Sequence, residues 1–119
     1  MSLVPTRVMS ALTERFEKLL AAGQDTAILR FSLGNAWLSE DPARAALHFA
    51  RATELDPMYS AAWKMLGKAC SAQADTAGAM QAYARGIEVA EARGDIQAAR
   101  EMRVFLKRLS TSQAPDPAH

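Results

Sequence analysis

Few side chains in this chain of 119 residues could do chemistry: two histidines, one cysteine and thirteen acidic residues. His48 falls inside a helical stretch and His119 is the last residue, so the two imidazoles do not form a ligand pair by spacing. The chain has no His-x3-His, Cys-x2-Cys or His-Glu-x2-His arrangement of the kind that seats a metal on one helix or loop. A lone His48 is expected to be a partly exposed helical histidine. Cys70 cannot form an internal disulfide, and a reactive thiol would need exposure and nearby positive charge. Lys68 is the neighbouring cation in sequence, but the plainer expectation is a buried, inert thiol. No Gly-x-Gly-x2-Gly motif or phosphate loop is present. The acidic residues are scattered or stand where helices begin, where helix-start stabilisation accounts for them. The expectation is therefore no enzyme, no cofactor and no metal. A thiol- or metal-dependent activity through Cys70 or His48 is the weakest alternative.

Composition bounds the elements that would carry these residues. The length suits one domain. Half the chain is apolar, only 7% is aromatic, and alanine is abundant. That balance favours closely packed helices over a β-sandwich. A net charge of +1 leaves no electrostatic footprint for nucleic acid. Charged residues from Arg7 onward interrupt anything like a signal peptide, and no apolar run is long enough to span a bilayer. A soluble, cytoplasmic protein is expected.

Caps and apolar spacing place about six helices. The first runs from about Thr6 to Ala22, with Pro5 in its opening turn, Gly23 as its stop, and a stripe of Val8/Met9, Leu12, Phe16, Leu19 and Leu20. The second spans about Thr26 to Ser39. Asp41-Pro42 opens the third, an N-cap carboxylate followed by a proline whose missing N–H costs nothing there, and Pro57 stops it. The fourth spans about Met58 to Ala72. Asp75 caps the fifth, which runs to about Arg93, and Gly94-Asp95 starts the last, about Ile96 to Leu109. That last helix shows Ile96, Ala99, Met102, Leu106 and Leu109 on one face, and Arg100, Glu101, Arg103, Lys107 and Arg108 on the other. Residues 110–119 hold two prolines and no core residues, and a disordered tail is expected there.

The chain repeats itself. Leu33-Gly34 returns as Leu66-Gly67, and Asp41, Ala45, Phe49, Arg51 and Glu54 return as Asp75, Ala79, Tyr83, Arg85 and Glu88. The first spacing is 33 and the later ones 34, so one residue is missing from the turn between Leu38 and Asp41. The first copy, 27–59, carries Arg30, Leu33-Gly34, Trp37, Ala45, Phe49, Ala52 and Pro57. The second, 60–93, carries Trp63, Leu66-Gly67, Cys70, Ala79, Tyr83, Gly86, and Glu91 where the first has its proline. This pattern resembles the tetratricopeptide-repeat (TPR) family, and Ala-Thr-Glu-Leu-Asp-Pro, ending at Pro57, is close to that family's usual repeat ending. The resemblance implies an all-α, antiparallel helical-hairpin superhelix. A single domain would cover 1–109, with 95–109 as a capping helix. Glycines at 34 and 67 would let the paired helices cross closely, beside Trp37, Phe49, Trp63 and Tyr83. Phe16 and Leu20 fit a degenerate half-repeat, and Cys70 falls where the family usually keeps a tyrosine facing the hairpin core.

The resemblance also implies where a partner would lie. First helices of successive repeats line a concave face in this family, which here means Ile28, Phe31, Asn35, Leu38 and Ser39 from repeat 1. Repeat 2 would add Ala61, Lys64, Lys68, Ser71 and Ala72. Asn35 matches a carboxylate-gripping subfamily, but Phe31 and Met65 replace its lysine and second asparagine, so a full clamp is not expected. Lys64 and Lys68 could attract an acidic ligand, or simply form a solvated face. Phe31 and Leu38 could anchor a ligand, or pack under the first helix. The leading expectation is a non-catalytic adaptor or chaperone-like module for a protein or peptide, a monomer or weak homo-oligomer binding neither nucleic acid nor membrane. The alternative is self-assembly through exposed solenoid ends, with Val104 and Phe105 as the apolar residues expected to be bare.

Overall fold

The structure, a computed structural model, describes residues 10–113. Six helices follow one another: α1 (Ala11–Ala21), α2 (Ala27–Trp37), α3 (Pro42–Leu55), α4 (Ser60–Ala72), α5 (Thr76–Ala92) and α6 (Ile96–Gln113). Each packs on the next, while α2, α4 and α6 also touch side by side. The body measures 52 × 42 × 19 Å. Its thinnest dimension is two helix diameters of about 10 Å. It is therefore a two-layer stack of hairpins, with α2, α4 and α6 in one layer and α3 and α5 in the other.

Local chemistry sets most of the boundaries. Asp41 and Asp75 cap α3 and α5 by accepting from the backbone N–H of Arg44 and Gly78, at 3.1 and 3.0 Å. Pro57 ends α3 early, whereas Glu91 lets α5 run three residues longer before Gly94 takes φ +76 and turns the chain. The missing residue in repeat 1 also has a physical identity. Repeat 2 turns through Ala74, which is forced to φ +59 as the Asp75 N–H donates to the Cys70 carbonyl. The shorter turn of repeat 1 closes through a 2.7 Å bond from the Asp41 N–H to the Trp37 carbonyl, and contains no left-handed residue.

The two glycines do what the repeat requires. A Cβ built at Gly34 would stand 2.5 Å from the ring of Phe49, and one at Gly67 would stand 2.5 Å from the ring of Tyr83. Phe49 is fully buried among Trp37, Ala45 and Ala69; Tyr83 is buried among Cys70, Ala79, Ala99 and Met102. Leu66 packs against both clusters and joins them.

Several expectations shift. Ser10 is the N-cap of α1, accepting from the Thr13 N–H, so this helix begins at Ala11 and not near Thr6. Pro5, Val8 and Met9 lie outside the described residues. Leu12, in the first turn of α1, is 59% exposed; among the described helices α1 packs on α2. Ile96, at the edge of its stripe in the first turn of α6, is also exposed. Phe105 is not bare: it lies against Tyr83, with ring centroids 5.4 Å apart. Helix α6 continues through Ser110 to Gln113, four residues into the expected tail, and 114–119 lie outside the described residues.

Candidate partner-binding face

The aligned starts of α2 and α4, together with the α5–α6 turn, enclose a cleft of about 520 Å³ lined by Ile28, Asp56, Tyr59, Ser60, Ala61, Arg93, Gly94 and Asp95. Ile28 stands at its lip and is 71% exposed. Arg93 is fixed by donating to the Met58 carbonyl at 2.8 Å. Further along the same layer Asn35, Ser39, Lys68, Ser71 and Ala72 are exposed. A smaller hollow of about 220 Å³ lies beyond, between Ser71, Tyr83, Phe105, Arg108 and Leu109.

Two of the apolar candidates are partly buried against the protein's own side chains. Phe31 is half-buried between Phe49 and Tyr59, at centroid distances of 5.8 and 4.9 Å, and Leu38 packs beside Trp37. What covers Phe31 is its own hairpin and the start of α4. The lysines are partly engaged too. Lys64 Nζ donates to Glu101 on α6 at 3.1 Å, and Lys68 Nζ lies 5.6 Å from the centre of the Phe105 ring. Both partners of the Lys64–Glu101 pair keep solvent contact, and such a pair contributes only about 0–1 kcal/mol. A ligand carboxylate can therefore compete for Lys64. Helix α6 is thus a third wall of this face as well as a cap.

A second polar constellation was not legible from spacing. His48 is buried, not partly exposed, and its Nδ1 accepts from Arg30 Nη1 at 3.1 Å. A guanidinium only donates, so the neutral imidazole carries its proton on Nε2. Burial, and then the charge of Arg30, push the His48 pKa below its usual value. Arg30 also grips Asp25 through two N–H groups, at 2.7 and 3.2 Å, and Arg51 reaches the same carboxylate. The hydrogen bond from Arg30, joined by that from Arg51, holds the Asp25 carboxyl at about 2, against the opposing effect of desolvation. Beside this, Glu17 of α1 accepts from Trp37 Nε1 and Arg44 Nη2, while Arg44 lies over the Trp37 ring at 4.1 Å. The one available signal is in the repeat register: Arg30 and His48 occupy the places of Trp63 and Ala82, a polar pair replacing an aromatic–alanine pair. The arrangement joins α1, α2 and α3. It has no nucleophile, and no group of three or more His, Cys, Asp or Glu side chains placed to hold a metal occurs among the described residues.

Cys70 is buried, and burial followed by the nearby Asp75 raises its thiol pKa, the reverse of what an activated thiolate needs. No helix among the described residues is long and apolar enough to cross a membrane.

These repeats, their crossing glycines and the two-layer stack define a helical-hairpin repeat protein. The chain is 50% identical over 103 residues to the TPR repeat-containing protein PA0015 of Pseudomonas aeruginosa, covering 86% of this chain and 98% of that one. It belongs to the TPR family. The solution structure of protein BPP2914 from Bordetella parapertussis superposes with a TM-score of 0.76 at 45% identity, over 93% of this chain and 97% of that chain. No family model matches the chain. Membership points to a protein-interaction module in general terms, since a TPR scaffold serves many roles and its specificity lies in the exposed face.

Proposed function

We propose that this is a non-catalytic cytoplasmic adaptor that receives a segment of a partner protein along the face of α2 and α4, with Ile28, Asn35, Lys64, Lys68 and Ser71 in contact. The observation that carries the reading is Ile28: an isoleucine left 71% exposed at the lip of a cleft of about 520 Å³. Ile28, Tyr59 and Ala61 give the cleft apolar contact area, and Asp56, Arg93 and Asp95 give it polar groups that can orient a bound segment. Phe31 and Leu38 support the face from beneath and are not expected to touch the ligand. Lys64 and Lys68 favour carboxylates on the partner, and Lys64 exchanges Glu101 for them at small cost.

Site-directed photo-crosslinking in the native cell tests this. A photoreactive residue at Ile28 or Ser71 should capture a discrete partner, and one at Leu47, exposed on α3, should not. Addition of Lys68→Glu to the Ile28 probe should reduce capture. Equal capture at all three positions, or capture from Leu47 alone, would overturn the assignment of the face.

A further inference from the structure

We infer that the outward face of α6 is a second docking surface, distinct from the cleft, built for an acidic segment of a partner protein. Ile96, Arg100, Val104, Lys107 and Thr111 recur at helical spacing on one exposed side of α6, running outward from the edge of its Ala99, Met102 and Leu106 stripe, and Arg108 flanks them. Ile96 and Val104 are 55% and 48% exposed. Val104, Lys107, Arg108, Thr111 and Ser112 bound a shallow hollow of about 450 Å³.

Charge selects the occupant. Elsewhere the arginines of α2, α3 and α5 up to Arg85 are matched to carboxylates, and on α6 itself Arg103 pairs with Glu91 at 2.6 Å. Arg100, Lys107 and Arg108 have no ion-pair partner among the described residues, although they lie within nine residues of one helix. The one carboxylate of α6, Glu101, is turned to Lys64 on the inner side. The outward face therefore presents three uncompensated cations around an aliphatic contact. Its complement is a segment with carboxylates flanking an aliphatic side chain. A duplex or lipid surface would use the cations but leave the Val104 hollow unfilled. A helix whose only task was to shield the end of the stack would have no use for Ile96 and Val104 in water, nor for the last turn beyond Leu109, the final residue packed on the core.

The test uses the full chain, isotopically labelled, titrated with three synthetic peptides of equal length: one of Glu and Leu, one of Glu alone, and one of Lys and Leu. The Glu/Leu peptide should shift the amides of Ile96, Arg100, Val104, Lys107 and Thr111, bind more tightly than the all-Glu peptide, and weaken as salt is raised. The Lys/Leu peptide should not bind. Arg100→Glu/Lys107→Glu/Arg108→Glu should cost about tenfold or more in affinity, and Val104→Ser about threefold. All four positions are exposed, and circular dichroism of each variant checks that it remains folded. The location of the shifts separates this surface from the cleft: the α6 triple variant should lose the shifts at Ile96, Val104 and Thr111, whereas binding in the cleft would shift Ile28, Asn35 and Ser71 instead. The assignment is overturned if the Glu/Leu peptide does not bind, or if its shifts fall on Ile28, Asn35 and Ser71 and not on α6, with the α6 triple variant keeping full affinity. It is equally overturned if a DNA duplex or anionic phospholipid vesicles bind more tightly at the same salt.

Discussion

At the scale of single residues, Gly67 decides how closely α4 and α5 approach. Alanine there would gain about 1 kcal/mol in helix propensity. It would also place a Cβ 2.5 Å from the ring of Tyr83, which is buried and has nowhere to move. Overpacking of this kind typically costs 1–3 kcal/mol and here cannot relax at a flexible side-chain end, so the steric loss wins. Gly67→Ala is expected to destabilise by up to about 2 kcal/mol in urea unfolding, the steric cost less the propensity gain; a stabilised variant would mean that the crossing is looser than described. His48 gives a pH dependence. Its folded pKa is lowered by burial and by Arg30, while the unfolded residue titrates near 6.5. The unfolded chain therefore takes up the proton first as pH falls. The contribution of the neutral histidine is intact above about 6.5 and is lost as pH drops through the window between that value and the lower folded pKa. His48→Gln should flatten the melting-temperature curve in that window. Asp25 adds a separate loss further into acid, between the 3.8 of an unperturbed aspartate and its folded value of about 2.

At the scale of elements, the helices are not held equally. Helix α1 packs on α2, has Thr13 as its one buried residue, and is tied in place by Glu17, which bridges Trp37 and Arg44. Helix α4 is packed against α3, α5, α2 and α6. Native-state hydrogen exchange should therefore show α1 with the lowest protection of the six helices and α4 and α5 with the highest. Glu17→Ala should raise exchange in α1 selectively. Uniform acceleration along the chain would mean that α1 is part of the cooperative unit. Arg51–Glu54 and Arg85–Glu88, the same ion pair in both repeats at 3.1 Å, contribute little because both partners are exposed or nearly so.

At the scale of the whole molecule, two apolar clusters make up the stack. One gathers around Phe49 and the other around Tyr83 and Met102, with Leu66 shared between them. In a repeat protein, cooperativity passes through such nearest-neighbour contacts. Leu66→Ala should cost about 2 kcal/mol, near the low end for a leucine because the side chain is only partly buried. It should also broaden the urea transition, as the two clusters begin to unfold separately. A sharp transition of unchanged slope would show that the clusters are coupled elsewhere.

The sequence by itself determined the repeat, its hairpin turns, the glycines at the crossings and the family. Those features rest on local rules and on residues that recur at a fixed spacing: an N-cap is written by one side chain, and a missing Cβ by one glycine. The turn of repeat 1 shows how far this reaches. The missing residue was legible, and the structure added only that it is the left-handed one. What a given side chain faces depends on elements far away in the chain, and no periodicity encodes that. The sequence leaves Phe31 open between ligand contact and internal packing, and in the structure the rings of Tyr59 and Phe49 lie against it and half-bury it. Lys64 looked like a free cation until α6 brought Glu101 beside it. Arg30 and His48, eighteen residues apart, became a buried pair only when α2 folded onto α3. Helix α6 read as a cap because its apolar stripe was visible in sequence. Only the packed structure revealed which of its charges are compensated, because compensation is a distance between helices and not a spacing along one.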